Sequence, residues 1–200
     1  MTMKIDSKHW LEDVQREPVE GGNLMRTRRF LVIHNTAGAT GMSSIEYWKS
    51  QGGAVCAHFV IERDGTIIQC RPCNRTAGHA GKSRWQGFIG LNSCSIGIEL
   101  ANAGFDTPGR DAFDWASRQP QFQSRMARHK HGGPTVEWEV YPQAQLDACT
   151  KLAKALKERY NLDDIIGHED CSKGRKVDPG PVFPMQKLRR DCGIDNSPLL

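Results

Sequence analysis

The sequence predicts an α/β fold: a three-layer domain with a central mixed, mostly parallel sheet flanked by helices. Three observations carry that expectation. Two apolar strands, Phe30-Leu-Val-Ile-His-Asn35 and Asp163-Asp-Ile-Ile166, run into histidines, His34 and His168. An amphipathic helix over Pro142–Tyr160 leads into the second strand, with Leu146, Cys149, Ala153, Leu156 and Tyr160 on one stripe and Lys151, Lys154, Lys157 and Glu158 outside it. Between them, Arg63-Asp-Gly65 joins two β-branched runs, Cys56–Glu62 and Thr66–Cys70, as a tight antiparallel hairpin, because Asp-Gly supplies positive φ readily.

Residues 1–29 are polar, contain the turn signal Glu20-Gly-Gly-Asn23, and read as an N-terminal arm. Ser43-Ser-Ile-Glu46 has capping-box spacing and opens a short helix that Gly52-Gly53 stops. Thr76–Gly90 is Gly- and Arg-rich and reads as a loop, with His79 among the small residues of Ala77-Gly-His-Ala-Gly81. Ser95–Ala101 alternates: Ile96, Ile98 and Leu100 share one face, Gly97, Glu99 and Ala101 the other. Residues 105–138 form an insertion without sustained period, read as an excursion beside a groove. Its His129 and His131 have the look of a metal pair but sit among Arg, Lys and Gly, and read as a solvated turn. Gly174 and Pro179-Gly-Pro181 make the stretch after His168 a loop, and Met185–Arg190 closes the chain with a helical turn. The whole reads as one domain, 1–200.

Composition narrows the class. With 38% hydrophobic and 25% charged residues, the chain can bury a core of its own. No apolar run approaches the ~20 residues that span a bilayer, so no membrane insertion is expected. The N-terminus lacks the apolar stretch of a signal peptide, which points to a cytoplasmic protein. Seven cysteines, an odd number, suit a reducing compartment better than a disulfide framework. Cys70-Arg-Pro-Cys73 has no second pair and receives no role. The net charge of +4 suits loose attraction to an anionic polymer and equally a merely solvated surface. No basic run suggests a nucleic-acid groove.

The chemistry gathers where strands end. His34 and His168 each stand at the carboxyl end of a strand, where open α/β sheets collect ligands. Asp178 follows His168 by ten residues through a folded-back loop. Two imidazoles and a carboxylate suit Zn2+, with a fourth position open. Either histidine alone reads as well as a core residue satisfied by backbone, and Cys171 competes with Asp178 as third ligand. Glu99 sits in mid-strand opposite an apolar row, so its face is either solvated or a polar site. An HExxH metallopeptidase pattern is absent, since no second histidine follows His168-Glu169 at that spacing.

Six stretches, in order, carry a family resemblance: VIHNTAG at 32–38, AHFVIERDGTIIQ at 57–69, AGHAGKSRW at 77–85, GLNSCSIGIELANAG at 90–104, YPQAQLDA at 141–148 and GHEDCSKGRKVDPGP at 167–181. The chain resembles the type 2 N-acetylmuramoyl-L-alanine amidases, whose fold is shared with phage amidase lysozymes and peptidoglycan recognition proteins. The resemblance implies Zn2+ on His34, His168 and Asp178, Glu99 as catalytic carboxylate, and Lys176 at the developing oxyanion. It also implies peptidoglycan or muropeptide substrate, cut between N-acetylmuramic acid and L-alanine. Asn35 and Arg175 are expected substrate contacts; His79 either contacts substrate or holds its loop. Some members carry tyrosine where this chain has Ala57, which shifts weight to Glu99.

Two rivals follow from the same resemblance. Some members of the fold bind peptidoglycan without cutting it after losing a ligand, whereas here all three ligands, Glu99 and Lys176 are present. Among amidases, an endolysin for intact wall is expected over an enzyme recycling anhydro-muropeptides, on the Ala101-Asn-Ala-Gly104 strand ending and the long insertion.

Overall fold

The computed structural model describes residues 3–109 and 111–194. Ten strands and five helices run in the order β1 (Gln15–Arg16), β2 (Phe30–Asn35), α1 (Gly41–Ser50), β3 (Phe59–Ile61), β4 (Ile67–Gln69), β5 (Arg84–Trp85), β6 (Phe88–Ile89), β7 (Ser95–Leu100), α2 (Asp111–Ser117), β8 (Ser124–Arg128), β9 (Thr135–Glu139), α3 (Gln143–Tyr160), β10 (Asp164–Gly167), α4 (His168–Cys171) and α5 (Met185–Asp191). Six strands form the main sheet in the order β1-β4-β3-β7-β2-β10. Only β3 and β4 pair antiparallel within it. The expected mixed, mostly parallel sheet is the one observed.

Period-two alternation sorts the side chains between two layers. Leu31, Ile33, Ile96, Ile98 and Leu100 face α3 and α5, meeting Cys149, Leu152, Leu156 and Leu188. On the other face Val60 and Ile68 pack against Ile45 and Trp48 of α1, and Phe30, Val32 and Ile166 against Ala80, Leu91 and Cys171. Each such Ile or Leu contributes about 1.5–3 kcal/mol on burial. Among the described residues no helix is long and apolar enough to cross a membrane.

Three local expectations need correction. The helix cap lies three residues earlier than its spacing suggested: Thr40 accepts from the Ser43 amide at 3.0 Å. Glu62 adds a carboxylate at the same end, accepting from Gly41 and Met42 amides at 3.0 and 2.9 Å, which suits the positive pole of α1. The stretch after β10 is not loop throughout, because His168–Cys171 makes one helical turn, with Asp170 Oδ2 accepting from the Gly167 amide at 2.8 Å. The N-terminal arm does more than lead in: Leu11, Val19 and Met25 are buried, and β1 extends the sheet edge alongside β4. The insertion is ordered as α2 and the hairpin β8–β9, and Phe105 pairs back to Trp138.

Candidate metal centre

Register brings the polar groups together. β2 and β7 run parallel with Glu99 opposite His34, and β10 lies on the other side with Gly167 opposite Ile33. Residues in register leave the same face of a sheet, so His34 and Glu99 rise side by side while His168 starts α4 at the next strand's end. The loop from α4 then returns Asp178. His34 Nδ1 stands 3.0 Å from His168 Nδ1 and 3.1 Å from Asp178 Oδ2, and His168 Nδ1 lies 3.0 Å from the same oxygen.

The partners on the outer side of each ring assign its tautomer. His168 Nε2 faces the Ala80 carbonyl at 3.2 Å, closer than the Arg175 guanidinium at 3.4 Å; a proton on Nε2 satisfies that carbonyl and leaves Nδ1 a lone pair. His34 Nε2 faces His79 Nδ1 at 3.0 Å, and His79 Nε2 faces Ser95 Oγ at 3.2 Å and its carbonyl at 3.4 Å. A proton on each Nε2 satisfies that chain and leaves His34 Nδ1 a lone pair. Three electron-pair donors thus converge, and a cation resolves that convergence. Donors around tetrahedral zinc, bonded at about 2.0–2.1 Å, stand roughly 3.3 Å apart. The triangle here fits with slight expansion, and His34, His168 and Asp178 form a group that could hold a metal ion.

Electrostatics agrees. Burial, reinforced by the neighbouring His168, lowers the His34 pKa to about 4, so the ring is neutral and able to ligate. For Asp178 burial opposes ionisation, but the adjacent His168 and His34 rings, 3.0 and 3.1 Å away, prevail and hold it below the usual carboxylate range. Glu99 goes the other way: burial and the Asp178 charge push it well above the carboxylate range, against the pull of Lys176. Glu99 Oε2 is buried with no hydrogen-bond partner among the described residues. A cation beside it would favour its ionised form.

A cavity of about 290 Å³ holds this group; His34, Glu99, His168, Lys176 and Asp178 line it, walled by Val55, Trp138 and Val177. A cleft of about 1130 Å³ lies alongside, bounded by the short hairpin β5–β6 and α4, and shares only Arg175 with the smaller cavity. The converging donors are in the smaller one, so the chemistry is assigned there.

The remaining candidates fall in different places. Asn35 is one residue past His34 and bonds Tyr141 Oη at 3.3 Å and the Pro179 carbonyl at 3.4 Å, bracing the turn behind Asp178. His79 is buried against His34, and a Cβ on Gly97 would come within 2.6 Å of its ring. Arg175 Nη2 donates to the Ala80 and Lys82 carbonyls at 2.8 and 2.9 Å. Cys171 points away, its thiol on the His168 carbonyl at 3.5 Å, and is no rival ligand. His129 is not in a solvated turn: it is buried, 2.7 Å from Glu169. His58, Tyr141 and Glu169 lie within the stretches 57–69, 141–148 and 167–181, but no spacing marked them individually. His58 accepts the Gly97 amide at 3.1 Å, Tyr141 donates to the Pro179 carbonyl at 2.8 Å, and Glu169 accepts the Gly180 amide at 3.2 Å.

Comparison with known proteins gives the lineage. A family model described as N-acetylmuramoyl-L-alanine amidase (Amidase_2) matches residues 24–181. The N-acetylmuramoyl-L-alanine amidase AmiD of Escherichia coli (strain K12) is 31% identical over 169 residues, 80% of this chain and 51% of AmiD. The 1,6-anhydro-N-acetylmuramyl-L-alanine amidase AmpD of the same strain is 33% identical over 135 residues, 68% of this chain and 57% of AmpD. The chain therefore spans little more than half the length of these curated relatives. Among solved structures, an AmpD crystal structure superposes with a TM-score of 0.67 at 26% identity, covering 94% of this chain and 99% of that one. E. coli AmiD in complex with anhydro-N-acetylmuramic acid-L-Ala-D-γ-Glu-L-Lys gives 0.64 at 26% identity, covering 94% and 65%. The match over residues 24–181 and the shared fold make this chain a member of the N-acetylmuramoyl-L-alanine amidase family.

Proposed function

We propose that this chain is a zinc-dependent N-acetylmuramoyl-L-alanine amidase that acts on muropeptides bearing anhydro-N-acetylmuramic acid. The observation that carries the reading is the convergence of His34 Nδ1, His168 Nδ1 and Asp178 Oδ2 within about 3 Å of one another, beside Glu99. His34 Nδ1, His168 Nδ1 and Asp178 Oδ2 would hold Zn2+, which would supply Lewis acidity towards a carbonyl and a water whose pKa is brought towards ~7. Glu99 then takes the proton of the attacking water and returns it to the leaving amine of L-alanine. Its lack of a competing hydrogen-bond partner at Oε2 suits that exchange. Lys176, in the same cavity, places positive charge where the tetrahedral oxyanion develops. His79 fixes the His34 tautomer; Arg175 secures the loop at Ala80 and Lys82 and reaches both cavities.

The substrate assignment draws on relatives at more than 25% identity. AmpD is named for the anhydro-muramyl unit, and the E. coli AmiD complex holds a substrate that carries it. The endolysin amidase LysCS of Clostridium intestinale shares only 18% identity with this chain, a likeness in fold alone. This moves the reading from intact wall, favoured on sequence, to the recycled fragment. Digesting a soluble anhydro-muramyl peptide and intact sacculi in parallel tests it. The expected result is rapid release of peptide with free L-alanine amino termini from the soluble fragment. Glu99→Gln and Lys176→Ala should retain zinc while kcat falls by roughly 10² or more. Sacculi dissolved while the soluble fragment stays intact would restore the endolysin reading. No new L-alanine termini from either would leave a binding module.

A further inference from the structure

The insertion carries a polar network that meets the ligand-bearing segment at Glu169. Glu169 follows His168 directly and is 4% exposed. Its Oε2 accepts from His129 Nε2 at 2.7 Å and from the Gly180 amide at 3.2 Å, and its Oε1 pairs with Lys130 Nζ at 2.8 Å. Its amide donates to the Asp178 carbonyl at 2.8 Å, and its carbonyl accepts from His131 Nε2 at 3.1 Å. One residue therefore holds the turn at Asp178–Gly180 with one hand and the tip of the β8–β9 hairpin with the other.

The hairpin is built to present those groups. The His131 amide donates to His129 Nδ1 at 3.2 Å, which places the ring proton on Nε2, the atom facing Glu169. Lys130 also reaches Asp170 Oδ1 at 2.5 Å, and Asp170 Oδ2 accepts the Gly167 amide, so the residue before His168 is tied to the same lysine. Trp138 lies against Gly180, where a Cβ would meet its ring at 2.4 Å, and Trp138 Nε1 donates to the Ala127 carbonyl within the hairpin.

We propose that the β8–β9 hairpin is a strut for the metal centre, and that Glu169 is the positioning residue through which His129 and Lys130 set His168 and Asp178. A buried carboxylate is costly unless paired, and here each oxygen is paired with a group that leads either to the hairpin or to the ligand loop. Outer-shell groups that orient ligands commonly change metal affinity 10–100-fold when removed. The proposal rests on the metal centre described above but not on the bond that is cut.

The test uses the full chain, stripped of metal and titrated with Co2+ against a chelator. It reads the dissociation constant, the visible ligand-field spectrum and the thermal midpoint of the metal-free protein. Glu169→Gln and His129→Ala should weaken Co2+ binding by roughly 10–100-fold and shift the visible bands. His129→Gln, which keeps an amide N–H near the place of Nε2, should recover most of that loss. Lys130→Met, which leaves Glu169 Oε1 and Asp170 Oδ1 without that partner, should lower the metal-free midpoint and weaken Co2+ binding of the folded protein. If His129→Ala fails to fold, Lys130→Met and His129→Gln decide the matter alone. Wild-type affinity and spectrum in the folded variants would overturn the strut. A wild-type chain that takes up no Co2+ would overturn the strut and the metal centre together. Tight Co2+ binding without muramyl amide hydrolysis would refute the amidase reading and leave the strut standing.

Discussion

His34, His58 and His79 are buried on the same side of the sheet, and each has a pKa below the ordinary histidine value. Burial is the largest cause in all three, and for His34 and His58 the value falls to about 4. The folded chain keeps these rings neutral at pH values where the unfolded chain protonates them near 6.5. Their contribution to stability is therefore complete above about pH 6.5 and is lost as pH falls towards about 4. Glu99 has the opposite sign: its raised carboxyl contributes most below the unfolded value of 4.5 and loses that contribution as pH rises. Three histidines outweigh one carboxylate, so the thermal midpoint of metal-free protein should rise between pH 4 and pH 6.5. In Glu99→Gln the rise should be steeper. A flat or falling profile would show that the histidines do not fold neutral. His34 and His168 were legible because apolar strands lead directly to them; the tautomer chain through His79 to Ser95 was not, since it depends on contacts 45 and 16 residues apart.

At the scale of elements, β7 shows how a strand's second face is reserved. Its alternation was plain in sequence, and the face with Gly97 and Glu99 meets histidines instead of the apolar layer. Gly97 is needed for close approach: a Cβ would lie 2.6 Å from His79 Cγ and 2.8 Å from Nδ1, the atom that accepts from His34. Gly97→Ala should overpack the site at a cost of about 1–3 kcal/mol and weaken metal binding by about tenfold. Denaturant midpoints and chelator competition check the two effects; unchanged values for both would mean His79 has room to move and does not hold His34. The β8–β9 hairpin, by contrast, was hidden. Ser-Arg-Met-Ala-Arg and Thr-Val-Glu-Trp-Glu are mostly exposed or half-buried, so no period-two apolar face marks them as strands. What holds the hairpin is Trp138 and a polar network to α4, which leaves no trace in hydrophobic pattern. The α1 cap was displaced for a similar reason. Its decisive partner, Glu62, comes from the far end of β3.

For the molecule as a whole, the sheet order β1-β4-β3-β7-β2-β10 puts β2 between β7 and β10, so three strand ends deliver His34, Glu99 and His168 to one place. The convergence of His34 and His168 was readable because buried parallel strands leave continuous apolar runs and their carboxyl ends gather ligands; the strand order was not, and Glu99 was placed by the family resemblance alone. Substrate identity was not readable, because recycled fragment and intact wall present the same amide to the same atoms. The central claim is that one metal ion on His34, His168 and Asp178 makes this chain an amidase. Its most direct test is to titrate Zn2+ into the metal-free protein while following hydrolysis of an anhydro-muramyl tripeptide, in wild type and in His168→Ala. The predicted wild-type rate climbs linearly and breaks at about one equivalent of Zn2+, with no such rise in the variant. Hydrolysis by the metal-free protein, or an equal break in His168→Ala, would contradict it.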